Sequence, residues 1–299
     1  MDLDPQALGG GPGGAMLRPA IAEQDDVGDG VRARVAATLR YYAASALLSW
    51  SFPQYRTHRP WPAWVEASGW ALRGVRRLAG QGSVDAARLR REGPYVLLPL
   101  QLDSDYQLRS HSDFEAMLPA LTLAVASFAA HAPANLRLVV KAHPLDNGLR
   151  DWRRLTLACA AAFGAAGRVV FVGHGDIGEL VQASEGVVTV NSTTGALALA
   201  AGRPVLVLGR AVYDLPGLTH QGPLSSFWSR REPPDPELYD AFQRVLADRC
   251  LLRGGFYHAA SGPALVTAAA ARMLRPTPVP VRLLQRRDAP EAPVRAIAL

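Results

Sequence analysis

Cysteine is nearly absent from this chain of 299 residues: Cys159 and Cys250 are the only two. Two isolated thiols exclude a disulfide-stapled scaffold and a cysteine-built zinc site, and they make the reducing cytosol the default setting. Long apolar runs are missing as well. The longest, residues 117–130 and 155–166, fall short of the roughly 20 residues that a membrane-spanning helix needs. Residues 1–30 carry Gly9-Gly10-Gly11-Pro12-Gly13-Gly14 and an acidic patch but no apolar signal core, so a flexible leader is expected there. No Cys/His finger and no aromatic ribonucleoprotein pattern occurs, which removes nucleic acid as the expected partner despite a net charge of +6.

What is present describes a globular protein. Hydrophobic residues make up 49% of the chain and charged residues 19%, enough for a sizeable core in one large or two modest domains. The basic excess is mostly arginine and suits an anionic lipid or nucleotide. Residues 31–92 read as a helical segment in which Trp50, Trp61, Trp64 and Trp70 are interleaved with Arg56, His58, Arg59, Arg73, Arg76 and Arg77. Two readings fit this belt. One is an interface with an anionic membrane; the other is a helical pair packed on the sheet with its arginines on the wet face.

After Gly93-Pro94 the rhythm changes. Apolar, β-branched runs at residues 95–100, 136–141, 168–172, 186–190 and 204–208 predict strands. Helical patterns at 113–131, 151–166, 177–183 and 195–201 fill the gaps. This alternation predicts an α/β fold, a Rossmann-like parallel sheet with flanking helices, over residues 93–275. Residues 234–275 read as helical again, and 276–299 form a Pro/Arg-rich, loosely held tail.

In an open parallel sheet, ligands gather beyond the carboxyl ends of the strands, and several polar constellations fall there. After the first strand come Gln101, Asp103, Asp105 and Gln107. Either aspartate could act as nucleophile or base with the glutamines as hydrogen-bond donors, or the loop could be solvated with an aspartate capping a helix. After the second strand come Lys141, His143 and Pro144. The proline biases His143 toward an extended backbone, which aims a cation and an imidazole off the strand end. After the fourth strand come Asn191, Ser192, Thr193 and Gly195, whose hydroxyls and free N–H groups at a helix start suit a phosphate, or form an ordinary helix cap. His174 is placed to contact a base or ribose, and Gly209 and Tyr213 follow the fifth strand and could close over the ligand. No metal site and no cofactor is expected.

In this order the motifs resemble the capsule polysaccharide biosynthesis and export family of Gram-negative bacteria. The matching residues are Phe52-Pro53-x-Tyr55-x-x-His58-Arg59, Pro99-Leu100-Gln101-x-x-x-Asp105-x-Gln107 and Lys141-x-His143-Pro144. Asn191-Ser192-Thr193-x-Gly195, Gly202-x-Pro204-Val205 and Leu208-Gly209-x-Ala211-x-Tyr213 complete the series. The resemblance implies a β-Kdo transferase that uses CMP-Kdo, retains donor configuration, and employs Asp105, with Asp103 second, as nucleophile. It also implies a nucleotide-sugar donor, a lipid or glycolipid acceptor, capsule assembly or export proteins as partners, and a cytoplasmic site on the inner face of the inner membrane. Members carry an N-terminal Rossmann-like lobe before the Phe-Pro-x-Tyr segment. Only about fifty residues precede Phe52 here, so the expected architecture is the C-terminal half of a GT-B-like fold. Two alternatives stand beside it. One is a UDP-sugar transferase or epimerase, with Asp214 holding the ribose. The other is a catalytically inactive partner in capsule export.

Overall fold

The computed structural model describes residues 36–37, 40–45, 47–48, 50–55, 61–78, 85–252 and 262–274. They fall into two compact units, one within residues 57–239 and one within 1–56 and 240–299. The expected leader and tail, together with Arg56, His58 and Arg59, lie outside the described residues.

In the first unit, helices α1 (Ala63–Leu78) and α2 (Ala86–Arg91) precede strand β1 (Tyr95–Pro99), the short α3 (Tyr106–Ser110) and α4 (Met117–His131). Then come β2 (Arg137–Lys141), α5 (Trp152–Ala162), β3 (Val169–Val172), α6 (Ile177–Ala183), β4 (Gly186–Thr189), α7 (Thr193–Ala200), β5 (Val205–Val207) and α8 (Leu224–Phe227). All five strands pair in parallel in the order β3-β2-β1-β4-β5. This is the Rossmann-like sheet read from the sequence, and each strand ends within one residue of its expected position. All five residues of β1 and all four of β4 are buried, as strands covered on both faces require.

Side chains set the helix starts. Asp85, Asp105, Asp151, Asp176 and Ser192 each accept a backbone N–H from the first turn they precede, satisfying donors that the helix cannot. On one face of the sheet α4 meets α8. There Phe128 and Trp228 pack edge to face at 5.3 Å, and the Trp228 indole donates to Ser127 Oγ at 2.9 Å.

Five local expectations change. Residues 106–110, outside the expected helices, are helical, and Asp105 caps them as the capping alternative had it. The helix expected from residue 113 starts at Met117, and the one expected to reach residue 166 ends at Ala162, before the positive-φ Gly164. Gly195 lies inside α7 and does not begin it. The stretch over 234–275 that reads as helical holds more than one helix: α9 (Pro236–Val245) runs into a π-type turn at Leu246–Cys250, and a separate helix, α10, covers Gly262–Leu274. Within the second unit, the Arg272 guanidinium bridges the carbonyls of Asp248, Arg249 and Leu251, which satisfies the broken end.

Helix α1 corrects one reading of the Trp/Arg belt. It packs on the 144–150 loop through Gly69, Arg73 and Arg76, while Trp64 and Val75 stay exposed at 75% and 63%. Arg73 and Arg76 therefore face the protein and not the wet side. The reason is that this loop presents carbonyl oxygens, which guanidinium groups satisfy and apolar side chains do not. Gly69 permits the approach, since a Cβ there would lie 2.7 Å from Asn147 O.

Candidate functional site

The order β3-β2-β1-β4-β5 puts the reversal of strand order between β1 and β4, where a doubly wound sheet opens its crevice. Gln101 and Asn191 meet across that point. Gln101 Nε2 donates to Asn191 Oδ1 at 2.9 Å, and Gln101 Oε1 accepts from the Asn191 backbone N–H at 3.2 Å. Asn191 Nδ2 then donates to the carbonyls of Gln107 and His111 at 2.8 and 3.0 Å. Both side chains are buried. Their polar groups latch residues 101–111 to the end of β4.

The two aspartates of the loop diverge. Asp103 accepts from the Met117 N–H at 2.8 Å through one oxygen and pairs with Arg150 at 2.5 Å through the other. It therefore starts α4 and ties the loop to residue 150. Asp105 accepts from the Gln107 N–H through Oδ1 alone. Its Oδ2 has no hydrogen bond among the described residues. The Gln107 side chain is exposed, and its backbone does the anchoring.

Beyond β2, Lys141 is buried at 5% exposure, although it is the only lysine in the chain. Its ammonium donates to the carbonyls of Ala142 at 2.9 Å and Gly173 at 3.5 Å. Burial, aided by the nearby Arg73 charge, lowers its pKa to about 8. Burial also lowers the His143 pKa, with the Asp105 and Asp146 carboxylates opposing that shift and Lys141 and Arg73 reinforcing it. His143 Nδ1 accepts from the Leu145 N–H at 3.1 Å, so the neutral ring carries its proton on Nε2. Pro144 is exposed, and its carbonyl accepts from Arg73.

Beyond β4, Ser192 caps α7: its Oγ accepts from the Thr194 N–H at 3.1 Å, and its own N–H donates to Thr189 Oγ1 at 3.1 Å. Thr193 is exposed, and as the first helical residue its N–H has no intrahelical acceptor. Tyr213 stacks beneath the turn and donates its hydroxyl to Ser192 O, and burial raises its pKa. Gly195 is what admits the ring, because a Cβ there would lie 2.3 Å from the Tyr213 hydroxyl. Gly209 permits a similar approach to His111 O and Ser112.

Lys141 and Ser192 stand at the ends of β2 and β4, which flank β1. At ordinary strand spacing those strand ends lie about 10 Å apart. His174, half-buried, follows β3 on the outer side of β2. Asp214 accepts from Thr219 Oγ1 at 2.7 Å and Gln221 Nε2 at 3.4 Å, within its own loop. Among the described residues, no group of three or more His, Cys, Asp or Glu is placed to hold a metal, and no helix is long and apolar enough to cross a membrane.

One cluster escaped the sequence reading. Arg73 and Arg76 of α1 share an open cleft with Arg150, Arg153, Arg154 and His174. The i,i+3 spacing of Arg73 with Arg76 on α1 is a visible signal. Their convergence depends on where α1 docks.

Comparison with known proteins follows the same line. The family model for capsule polysaccharide biosynthesis protein matches residues 15–257. The capsule polysaccharide modification protein LipB of Neisseria meningitidis serogroup B is 33% identical over 249 residues, covering 80% of this chain and 59% of LipB. The capsule polysaccharide export protein KpsS of Escherichia coli is 30% identical over 228 residues, covering 75% of this chain and 59% of KpsS. This chain thus spans about three fifths of the length of these relatives. Among solved structures, the β-Kdo 2,7-transferase KpsC of Thermosulfurimonas dismutans aligns with 53% of this chain and 51% of its own, at 19% identity and a TM-score of 0.36. With a family model spanning most of its length, this chain belongs to the capsule polysaccharide biosynthesis protein family.

Proposed function

We propose that this chain supplies the nucleotide-sugar half of a capsule-assembly glycosyltransferase, using CMP-Kdo or a related CMP-ulosonic acid as donor and a lipid-linked saccharide as acceptor. The observation that carries the reading is that Lys141 and His143 follow β2 and the capped Ser192–Gly195 turn follows β4, the two strands that flank β1. Lysine charge, an imidazole N–H and helix N–H groups together suit the single phosphate of a CMP donor. The capsule-related relatives support the context.

The chemistry proposed is a double displacement. Asp105 attacks the anomeric carbon through a carboxylate oxygen, the bond from that carbon to the phosphate oxygen breaks, and CMP departs with the electron pair. The acceptor hydroxyl then displaces Asp105 from the same carbon, its proton passing to the phosphate oxygen freed in the first step. Configuration is retained by two inversions. Asp105 suits the role better than Asp103, whose two oxygens are both engaged. Asp214 offers less to a ribose, because Thr219 and Gln221 already donate to it.

Titration calorimetry tests the binding half. CMP should bind more tightly than UMP or AMP, and His143→Ala should weaken it; equal affinity for UMP would remove the CMP assignment. Asp105→Asn should abolish transfer while leaving CMP affinity nearly unchanged, since a nucleophile contributes to the transition state and not to holding CMP. Full transfer activity in Asp105→Asn would end the covalent route. The exposed tryptophans Trp61, Trp64 and Trp70 support a peripheral position on an anionic membrane surface.

A further inference from the structure

We propose that the arginine-lined cleft outside the ends of β2 and β3 binds the carboxylates of an acidic saccharide chain, separately from the Ser192 turn. The identity of the saccharide as acceptor or product rests on the reading above; the anion-binding cleft does not.

Five arginines, Arg73, Arg76, Arg150, Arg153 and Arg154, line this cleft against two acids, Asp146 and Asp151. Both acids are committed to structure. Asp146 accepts from the Gly148 N–H at 2.8 Å and the Trp152 indole at 3.0 Å. Asp151 caps α5 through the Arg154 N–H and lies 3.7 Å from Arg76. Arg73 and Arg76 are positioned in advance by the carbonyls of Pro144 and Gly148. Arg150 is held between Asp103 and the face of Trp152, 5.3 Å from its ring centre. Arg153 and Arg154 carry no ion pair and no side-chain hydrogen bond among the described residues, and both are exposed.

The result is a concave positive surface whose guanidinium forks match carboxylates in pairs. The charges come from two walls, α1 and the start of α5, which suits a chain bearing one carboxylate per sugar better than one compact phosphate. Arg73 and Arg76 are half-buried in a concavity, where a flat bilayer does not reach them. Ala142 also lines the cleft and sits between Lys141 and His143. The cleft thus borders the β2 end that carries two of the proposed phosphate-binding residues.

The test uses the full chain with four probes: a short oligomer of α2,8-linked sialic acid, a neutral dextran of equal length, phosphatidylglycerol vesicles, and CMP. Arg153→Ala/Arg154→Ala removes two guanidinium groups that make no side-chain hydrogen bond, so the fold should survive, and an unchanged melting temperature confirms it. Arg153→Glu/Arg154→Glu is the stronger variant. The sialic acid oligomer should bind the wild type, bind the alanine variant at least tenfold more weakly, and fail to bind the glutamate variant. CMP affinity should stay constant, and dextran should not bind. Binding should also weaken as salt rises, as expected for exposed charges.

Equal oligomer affinity in all three proteins, or no oligomer binding to the wild type, overturns the proposal. So does a parallel loss of CMP, which would make the cleft part of the nucleotide site, or a loss confined to the vesicles, which would make it a lipid contact. A wild type that binds the oligomer but not CMP upholds the cleft and defeats the nucleotide-sugar reading instead.

Discussion

Gly195→Ala places opposing effects at one atom. The residue lies in the first turn of α7, and its φ is not in the left-handed region, so the backbone itself accepts alanine. On helix propensity alone the change would stabilise by up to about 1 kcal/mol. The added Cβ, however, would stand 2.3 Å from the Tyr213 hydroxyl oxygen and 2.7 Å from Cζ. Tyr213 is 4% exposed and fixed by its hydrogen bond to Ser192 O, so its rigid ring has no room to swing. Overpacking of this kind costs about 1–3 kcal/mol, and displacing the ring forfeits a further hydrogen bond worth about 1 kcal/mol. The steric term wins, and a net loss of about 1–3 kcal/mol is expected. Urea denaturation measures it, with CMP calorimetry showing whether the turn still binds. The decisive control is a double-mutant cycle: in a Tyr213→Ala background, where the ring is gone, Gly195→Ala should become neutral or stabilising. A stable Gly195→Ala protein with full CMP affinity would refute the reasoning, and so would an equal loss in both backgrounds.

Other outcomes follow from the same geometry. Asp103→Asn should destabilise the fold by about 1 kcal/mol by weakening the start of α4 and the Arg150 pair, whereas Asp105→Asn should change urea stability by less than half of that; the reverse order would exchange their assigned roles. Asn191→Ala should cost about 1–3 kcal/mol, because Gln101 and two loop carbonyls lose buried partners, and limited proteolysis should then cut near residue 107; an uncut loop would show that the latch is not needed. Lys141 has a pKa lowered on folding from 10.5 to about 8, so the unfolded chain binds the extra proton between those values and stability should rise with pH across that window. Its anion affinity should fall over the same range as the ammonium is lost. Since it is the only lysine, NMR of its side chain should report the titration directly, and Lys141→Met should flatten both trends; a normal pKa in the NMR would show the ammonium to be solvated.

Local physics carried much of this protein. The alternation of β-branched runs with helical patterns was enough to locate five strands, because strand burial and period are written in consecutive residues. Polar residues placed after strand ends were likewise legible as lying along one edge of the sheet. Three matters lay beyond that reach. The strand order made β1 and β4 neighbours and joined Gln101 to Asn191 across 90 residues, a pairing decided by non-local packing and not by either segment. The loop after β1 offered two equivalent aspartates until Met117 and Arg150 engaged Asp103 from distant elements. The segment of α1 offered a membrane-facing belt or a packed pair with wet arginines, yet it docks through Arg73 and Arg76, because the surface it meets presents backbone carbonyls. Periodicity records which residues share a face of a helix. Only the tertiary structure decides which face has a partner, since that depends on the chemistry of residues far away in the chain.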